Sequence, residues 1–332
     1  MKKINNILLC GLGGVGSIYA QKIIDNTNCD LKILVDKSRF ERYSKTPRRI
    51  NGKDYTFDYI LPSETDYDAD LIIIASKSSG LDDIIKNINN FVKDDTIILS
   101  FINGITSEER IAKVYGYDKI LYSYIICHTI FRTGSEIKHD GVTKVVFGSK
   151  DIHDKKIKPV KELFDSAKLN YEIPQDMYRA LWLKYALNCC VNQTSAITKM
   201  TFKQMWESQK YLELLKNICN EIAIIAKANG VNNTETFWAE TYKNLLTMLP
   251  EGKTSMLQDI EAKRKPETDL FGKTVVKLGE ENNISTPYNK ILSELIDIIT
   301  ENFDYYVKNN ERILFKLANY FMNKLIITGR CV

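Results

Sequence analysis

In the run Trp182-Leu183-Lys184-Tyr185-Ala186-Leu187-Asn188-Cys189-Cys190-Val191-Asn192-Gln193, a polar residue with useful chemistry returns at every fourth position. On a helix that spacing sets Lys184, Asn188 and Asn192 along one side. The residues between them are mostly apolar, so the segment lacks the broad wet face of a surface helix. Such a stripe either borders a cleft or buried network, or forms the solvated edge of a helix joining two domains. In the first case the ammonium and the two carboxamides need water, one another or a polar ligand, because burial without partners is costly. A lysine so placed suits carbonyl reduction: hydride arriving on carbon leaves an alkoxide that must take a proton, and the positive charge polarises the carbonyl beforehand. The two amides are then available to fix the remaining oxygens of a substrate. Farther on, Thr254-Ser255-Met256-Leu257-Gln258-Asp259 reads as a helix entrance with Ser255 and Gln258 as a capping box, and capping alone would account for that serine. Glu267, after Pro266, reads on its own as an exposed charge at a helix start.

A second constellation lies at the amino end. Ile7-Leu8-Leu9-Cys10 is a buried strand running directly into Gly11-Leu12-Gly13-Gly14-Val15-Gly16 and then into a helix. In that context the first glycine permits a tight turn, the second lets backbone approach a pyrophosphate, and the third lets the helix pack close to the sheet. Amides at the helix start face the phosphates. The next strand ends at Val35-Asp36, followed by Lys37, Ser38 and Arg39. Asp36 suits the ribose 2′-hydroxyl of NAD, whereas Lys37 and Arg39 suit the 2′-phosphate of NADP, and the same charges are also what a strand end facing water carries. Two cations after the acid tip the expectation to NADPH, with NAD left open by Asp36.

Elements that would position these residues follow from hydrophobic patterning. Residues 7–10, 31–35, 71–75 and 96–101 read as buried strands, separated by helical stretches such as 17–26 and 81–92. That alternation predicts a parallel sheet covered on both faces. Residues 119–148 read as further strands finishing the sheet. From 177 onward helical periodicity dominates, over 180–195, 212–229, 237–248, 275–283, 289–303 and 309–325. The expected fold is α/β: a Rossmann-type parallel-sheet domain over 1–175, followed by a mainly α-helical domain over 176–332 that serves substrate binding or dimerisation and ends in a carboxyl-terminal extension.

Composition bounds the function classes. The chain has 332 residues, 44% hydrophobic and 27% charged, and a net charge of +4 with no basic run, so nucleic acid is not an expected partner while a small anion is. No apolar stretch reaches the ~18 residues of a membrane span, and Met1-Lys2-Lys3 leads straight into a strand, so neither a membrane nor a signal peptide is expected. Seven scattered cysteines suggest buried thiols in a cytoplasmic protein, and three histidines show no metal spacing.

Taken together these segments resemble the ketopantoate reductase (2-dehydropantoate 2-reductase) family from Lys3 to about Phe303. The resemblance is carried by the Gly11 to Gly16 loop, Lys77 after a buried strand, Asn103-Gly104 after the next, Trp182-x-Lys184 with Asn188 and Asn192, Ser255-Met256-Leu257-Gln258-Asp259, and Glu267. It implies NADPH-dependent reduction of 2-dehydropantoate to pantoate on the route to pantothenate and coenzyme A. It further implies that Lys184 donates the proton, that Glu267 holds that lysine and helps bind the reduced oxygen, and that Ser255 receives the carboxylate. Asn188 and Asn192 would bind substrate, Lys77, Asn103 and Glu267 would sit where cofactor meets substrate, and Lys37 would meet the 2′-phosphate. The implied architecture puts the active site between a Rossmann domain and a helical one. Ile102, Gln193 and Lys273 depart from residues common in the family, namely glutamine, proline and glycine. A different small 2-keto acid, or a cofactor-sensing binding protein without turnover, remains an alternative, and a homodimer is left open.

Overall fold

A computed structural model describes residues 2–127, 130–141 and 143–303. The expected helix over 309–325 lies outside the described residues. The chain forms two compact units: one holds the residues up to Tyr185 together with Gly230–Asn233, the other Ala186–Asn229 and the residues from Thr234 onward.

The first unit contains every strand among the described residues: β1 (Asn6–Cys10), β2 (Asp30–Leu34), β3 (Arg48–Ile50), β4 (Lys53–Tyr55), β5 (Asp58–Ile60), β6 (Leu71–Ile74), β7 (Ile97–Ser100), β8 (Ile120–Cys127), β9 (Ile130–Thr133), β10 (Glu136–His139), β11 (Thr143–Gly148) and β12 (Asn170–Glu172). Eight of them make one sheet in the order β12-β11-β8-β7-β6-β1-β2-β5. Its pairings are parallel except β8 with β11. β6 and β7 are buried at every position and β1 at all but its first, as expected of strands covered on both faces. The connections run through α1 (Gly14–Asn26), α2 (Lys37–Tyr43), α3 (Leu81–Asn87), α4 (Ser107–Tyr115) and α5 (Ile157–Ser166). Strand order reverses at β1, which pairs with β2 on one side and β6 on the other. This is the switch point at which open α/β sheets leave a crevice beyond the carboxyl ends of their strands. The fold is therefore a Rossmann-type α/β domain joined to a helical one.

Two features differ from the sequence expectation. The stretch 119–148 does not all finish the main sheet: β8 and β11 join it, but β9 and β10 form a hairpin that pairs with β3 and β4 in a separate four-stranded sheet. The helix expected over 81–92 stops at Asn87 and continues as a tight turn over Asn89–Phe91. Of the six described cysteines, Cys10, Cys189, Cys190 and Cys219 are buried as expected, Cys29 is partly covered and Cys127 is exposed.

Unit two is helical. α6 (Met177–Thr198) begins in the first unit, and α7 (Phe202–Glu207), α8 (Gln209–Ala228), α9 (Phe237–Leu245), α10 (Ser255–Glu261), α11 (Gly272–Glu281) and a helix over 287–303 follow. No described helix is long and apolar enough to cross a membrane. Gln193, one of the departures from the family pattern, has a structural reason. Its amide donates to the buried Asn289 side chain at 3.0 Å, and Asn289 donates to Glu221 at 2.7 Å. Glu221 in turn accepts from the Tyr288 and Asn289 amides at the start of the last described helix. Lys273, another departure, bridges Asp269 and Asp297 at the surface.

Candidate active site

The glycine turn is built as its sequence demands. Gly11 has φ +110, and a Cβ there would lie 2.7 Å from the Ala75 carbonyl oxygen. A Cβ on Gly16 would lie 2.0 Å from the Gly11 carbonyl oxygen, so the first turn of α1 can close on the loop only without a side chain. Around Gly13, by contrast, nothing lies within 4 Å of a Cβ. Its missing side chain is not required by the protein's own packing; it leaves open space over the start of α1, whose first turn contains no acidic residue. Unpaired amides at a helix start facing open space fit the phosphates of a dinucleotide.

Strand register brings further candidates to the same edge. Cys10, at the end of β1, lies opposite Ile74 of β6 and Leu34 of β2, and Ile74 lies opposite Ser100 of β7. Gly11, Asp36, Lys77 and Asn103 therefore all emerge just past the carboxyl ends of neighbouring strands. Lys77 and Asn103 are exposed. Asp36 is the N-cap of α2: its carboxylate accepts from the Arg39 amide at 2.7 Å and from the Arg39 guanidinium at 2.6 Å. Lys37, next to it, is exposed. Ile102 is buried, its amide donating to Ser100 Oγ at 3.4 Å, so the residue before Asn103 belongs to the core.

Lys184 is half-buried on α6, in the part of that helix belonging to the first unit. Burial pushes its ammonium pKa below the ordinary value of 10.5, and the Cys127 thiol, within electrostatic reach at the end of β8, acts in the opposite sense. Cys127 also lies within reach of Tyr19 on α1, whose buried hydroxyl has no partner among the described residues. Lys184 and Tyr19 of the helix that follows the glycine turn thus share Cys127 as a neighbour.

In the second unit the structure joins two candidates directly. Asn192, 5% exposed, accepts through Oδ1 from the Ser255 hydroxyl at 3.3 Å and from the Met256 amide at 3.4 Å. The backbone donor fixes which end of the carboxamide faces α10. The capping box expected at Ser255 and Gln258 is absent: Thr254 is the N-cap, its hydroxyl accepting from the Leu257 amide at 3.2 Å, while Gln258 donates to the Lys253 carbonyl. The exposed Ser255 hydroxyl is thereby released from helix capping and held by Asn192. Asn188 is half-buried one turn before Asn192, and Glu267 is half-buried on the bend entering the tight turn Thr268–Leu270.

Sequence reasoning missed Arg48. It is 3% exposed on β3 and donates to the Leu12 carbonyl of the glycine turn at 3.2 Å. The only signal was the alternation of Arg48-Arg49-Ile50, too short to assign a face.

Comparison with known proteins bears on this arrangement at two levels. The profile described as Ketopantoate reductase PanE/ApbA matches residues 7–151, and that described as Ketopantoate reductase PanE/ApbA C terminal matches 176–300. The chain belongs to the ketopantoate reductase family. A 2-dehydropantoate 2-reductase of Streptococcus pyogenes serotype M3 is 25% identical over 300 residues, covering 87% of this chain and 96% of that protein. One from Aquifex aeolicus is 24% identical over 309 residues, covering 88% and 96%. Among solved structures, the ternary structure of D-mandelate dehydrogenase with NADH and anilino(oxo)acetate superposes with a TM-score of 0.80 at 20% identity, covering 90% of this chain and 99% of that one. The first two relatives are matched over nearly their whole length, and the third shows the same fold. As a ketopantoate reductase family member the chain is a nicotinamide-dependent oxidoreductase.

Proposed function

We propose that the chain reduces 2-dehydropantoate (ketopantoate) to pantoate with NADPH, supplying pantothenate and coenzyme A synthesis. In this reading residues up to 175 bind the cofactor and those from 176 onward bind the substrate. The observation that carries it is Lys184: an ammonium made more acidic by burial, in the same compact unit as the glycine turn. A protonated amine whose pKa is lowered gives up its proton more readily.

When bound, the nicotinamide supplies a hydride to the carbonyl carbon. The chain's part is to hold the carbonyl and deliver the proton. Lys184 polarises the C=O bond and gives its proton to the oxygen as the π bond breaks, and the neutral amine is recharged from water. Glu267 keeps the ammonium oriented. Ser255 receives the substrate carboxylate: its bond to Asn192 is long, so turning the hydroxyl proton toward an incoming anion sacrifices little. Asn188 and the amide NH2 of Asn192 donate to the remaining oxygens. Gly11 through Gly16 present backbone to the pyrophosphate, and Lys77 and Asn103 stand where cofactor meets substrate. NADPH is preferred over NADH because the Asp36 carboxylate is engaged by Arg39, while Lys37 stays exposed.

The test is oxidation of reduced cofactor by the purified protein with ketopantoate, pyruvate or 2-ketoisovalerate, each with NADPH and NADH. The expected result is the highest kcat/KM for ketopantoate with NADPH. A higher value for either other acid removes the substrate assignment, and no turnover with any of them removes the reductase.

A further inference from the structure

Three arginines crowd one side of the glycine turn without a counter-charge. Arg48 of β3 lies buried, donating through one terminal nitrogen to the Leu12 carbonyl at 3.2 Å and through the other to the Gly134 carbonyl at 3.5 Å. Arg132 of β9 donates to the same Gly134 oxygen at 3.3 Å, so two guanidinium groups share one acceptor. Arg42, on the last turn of α2, stands 5.0 Å from the centre of the Tyr43 ring, and Arg48 stands 4.5 Å from it. The Nε of Arg48 has no hydrogen-bond partner among the described residues. No carboxylate among the described residues pairs with any of the three. Burial raises the Tyr43 phenol, yet Arg48, Arg42 and Arg132 pull it below its ordinary value, as three convergent cations must.

Holding like charges together beside a buried guanidinium is unfavourable unless an anion joins them. The place is informative. Tyr43 packs on Tyr59 of β5, and Tyr59 lies opposite Ile33 of β2. The cluster thus lies along the β1, β2 and β5 side of the sheet, beside the strand that leads to Asp36. Arg42 and Arg132 are exposed, Arg132 holding Gly134 through Nε, whereas Arg48 is fixed through both terminal nitrogens by backbone carbonyls. Planar guanidinium groups around one point match a phosphate better than a carboxylate, since a phosphate dianion offers three oxygens to several forks.

We infer that Arg42, Arg48 and Arg132 form the receptor for the 2′-phosphate of the bound dinucleotide, with Arg48 the fixed base and the two exposed arginines the gripping groups. The inference rests on the proposed use of NADPH and extends it to residues outside the loop after β2.

Binding without turnover tests it. The purified chain is titrated calorimetrically with adenosine 2′,5′-bisphosphate and with adenosine 5′-monophosphate, as wild type, Arg42→Gln, Arg132→Gln and the double variant. Both substituted side chains are exposed, so the variants should fold; Arg48→Lys is added to probe the buried member, and thermal unfolding checks each protein. The wild type should bind the bisphosphate at least roughly tenfold tighter than the monophosphate, and each exposed arginine removed should erode that preference by roughly tenfold or to parity. A wild type with no preference, an equal loss for both probes, or an unchanged preference in the double variant would each overturn the assignment. Failure of ketopantoate reduction would leave this result standing, and a failed titration would leave the reduction standing.

Discussion

Lys184 and the glycines show how much single positions decide. Gly13 and Gly16 have the same side chain for opposite reasons. A methyl on Gly16 collides with the Gly11 carbonyl, whereas a methyl on Gly13, whose φ of -80 and ψ of -163 suit any residue, meets open space. Gly16→Ala should therefore cost about 1–3 kcal/mol of stability or prevent folding. Gly13→Ala should unfold within a degree or two of wild type while raising KM for the reduced cofactor roughly tenfold or more. Differential scanning fluorimetry beside cofactor kinetics checks both, and a Gly13→Ala protein with unchanged cofactor KM would mean that no phosphate approaches there. Asp36 is a residue whose role the sequence left ambiguous because a carboxylate at a strand end can serve a ribose or the next helix. The structure shows it capping α2 and pairing with Arg39, a local use that the Asp-x-x-Arg spacing already permitted.

At the level of elements, the central strands were legible because strands covered on both faces are continuous apolar runs. Residues 48–60 were not, since β3, β4 and β5 are three residues each, carry Arg, Lys and Asp, and owe their existence to pairing. The cap of α10 was misplaced by one residue because Thr254 and Ser255 offer the same hydroxyl, and only the backbone chooses between them. Beneath the loop bearing Asn103 lies a group that no pattern disclosed. Glu108 of α4 is 2% exposed and accepts from the Ser107 hydroxyl at 2.8 Å; burial pushes its pKa up to about 7, against the pull of hydrogen bonds from Ser107 and from backbone amides. A carboxyl whose folded pKa is raised favours folding in its protonated form. Its contribution is full below the ordinary value of 4.5 and is lost as pH rises toward about 7. Glu108→Gln should abolish that loss, making the protein more stable than wild type above neutrality by roughly 2–3 kcal/mol and nearly equal to it at low pH. Urea unfolding at several pH values measures this, and parallel pH profiles in the two proteins would contradict it.

For the molecule as a whole, one chain supplies a glycine turn at a sheet's switch point, strand-end residues along the same edge, and a helix that takes Lys184 to the neighbourhood of Cys127. The sequence disclosed the glycine turn and the α6 stripe, because each is local and periodic. It could not disclose the Arg48 cluster, which is assembled from β3, α2 and β9 by pairings of distant residues. The central claim is that the Lys184 ammonium gives its proton to the reduced carbonyl. Its most direct test is the pH dependence of ketopantoate reduction by wild type and Lys184→Ala at saturating NADPH. In the wild type the rate should fall as pH rises through a lysine pKa lying below 10.5. The variant should lose about 10²–10⁴-fold in kcat and show no such limb. An Ala variant that keeps wild-type kcat, or keeps the alkaline limb, would contradict the account.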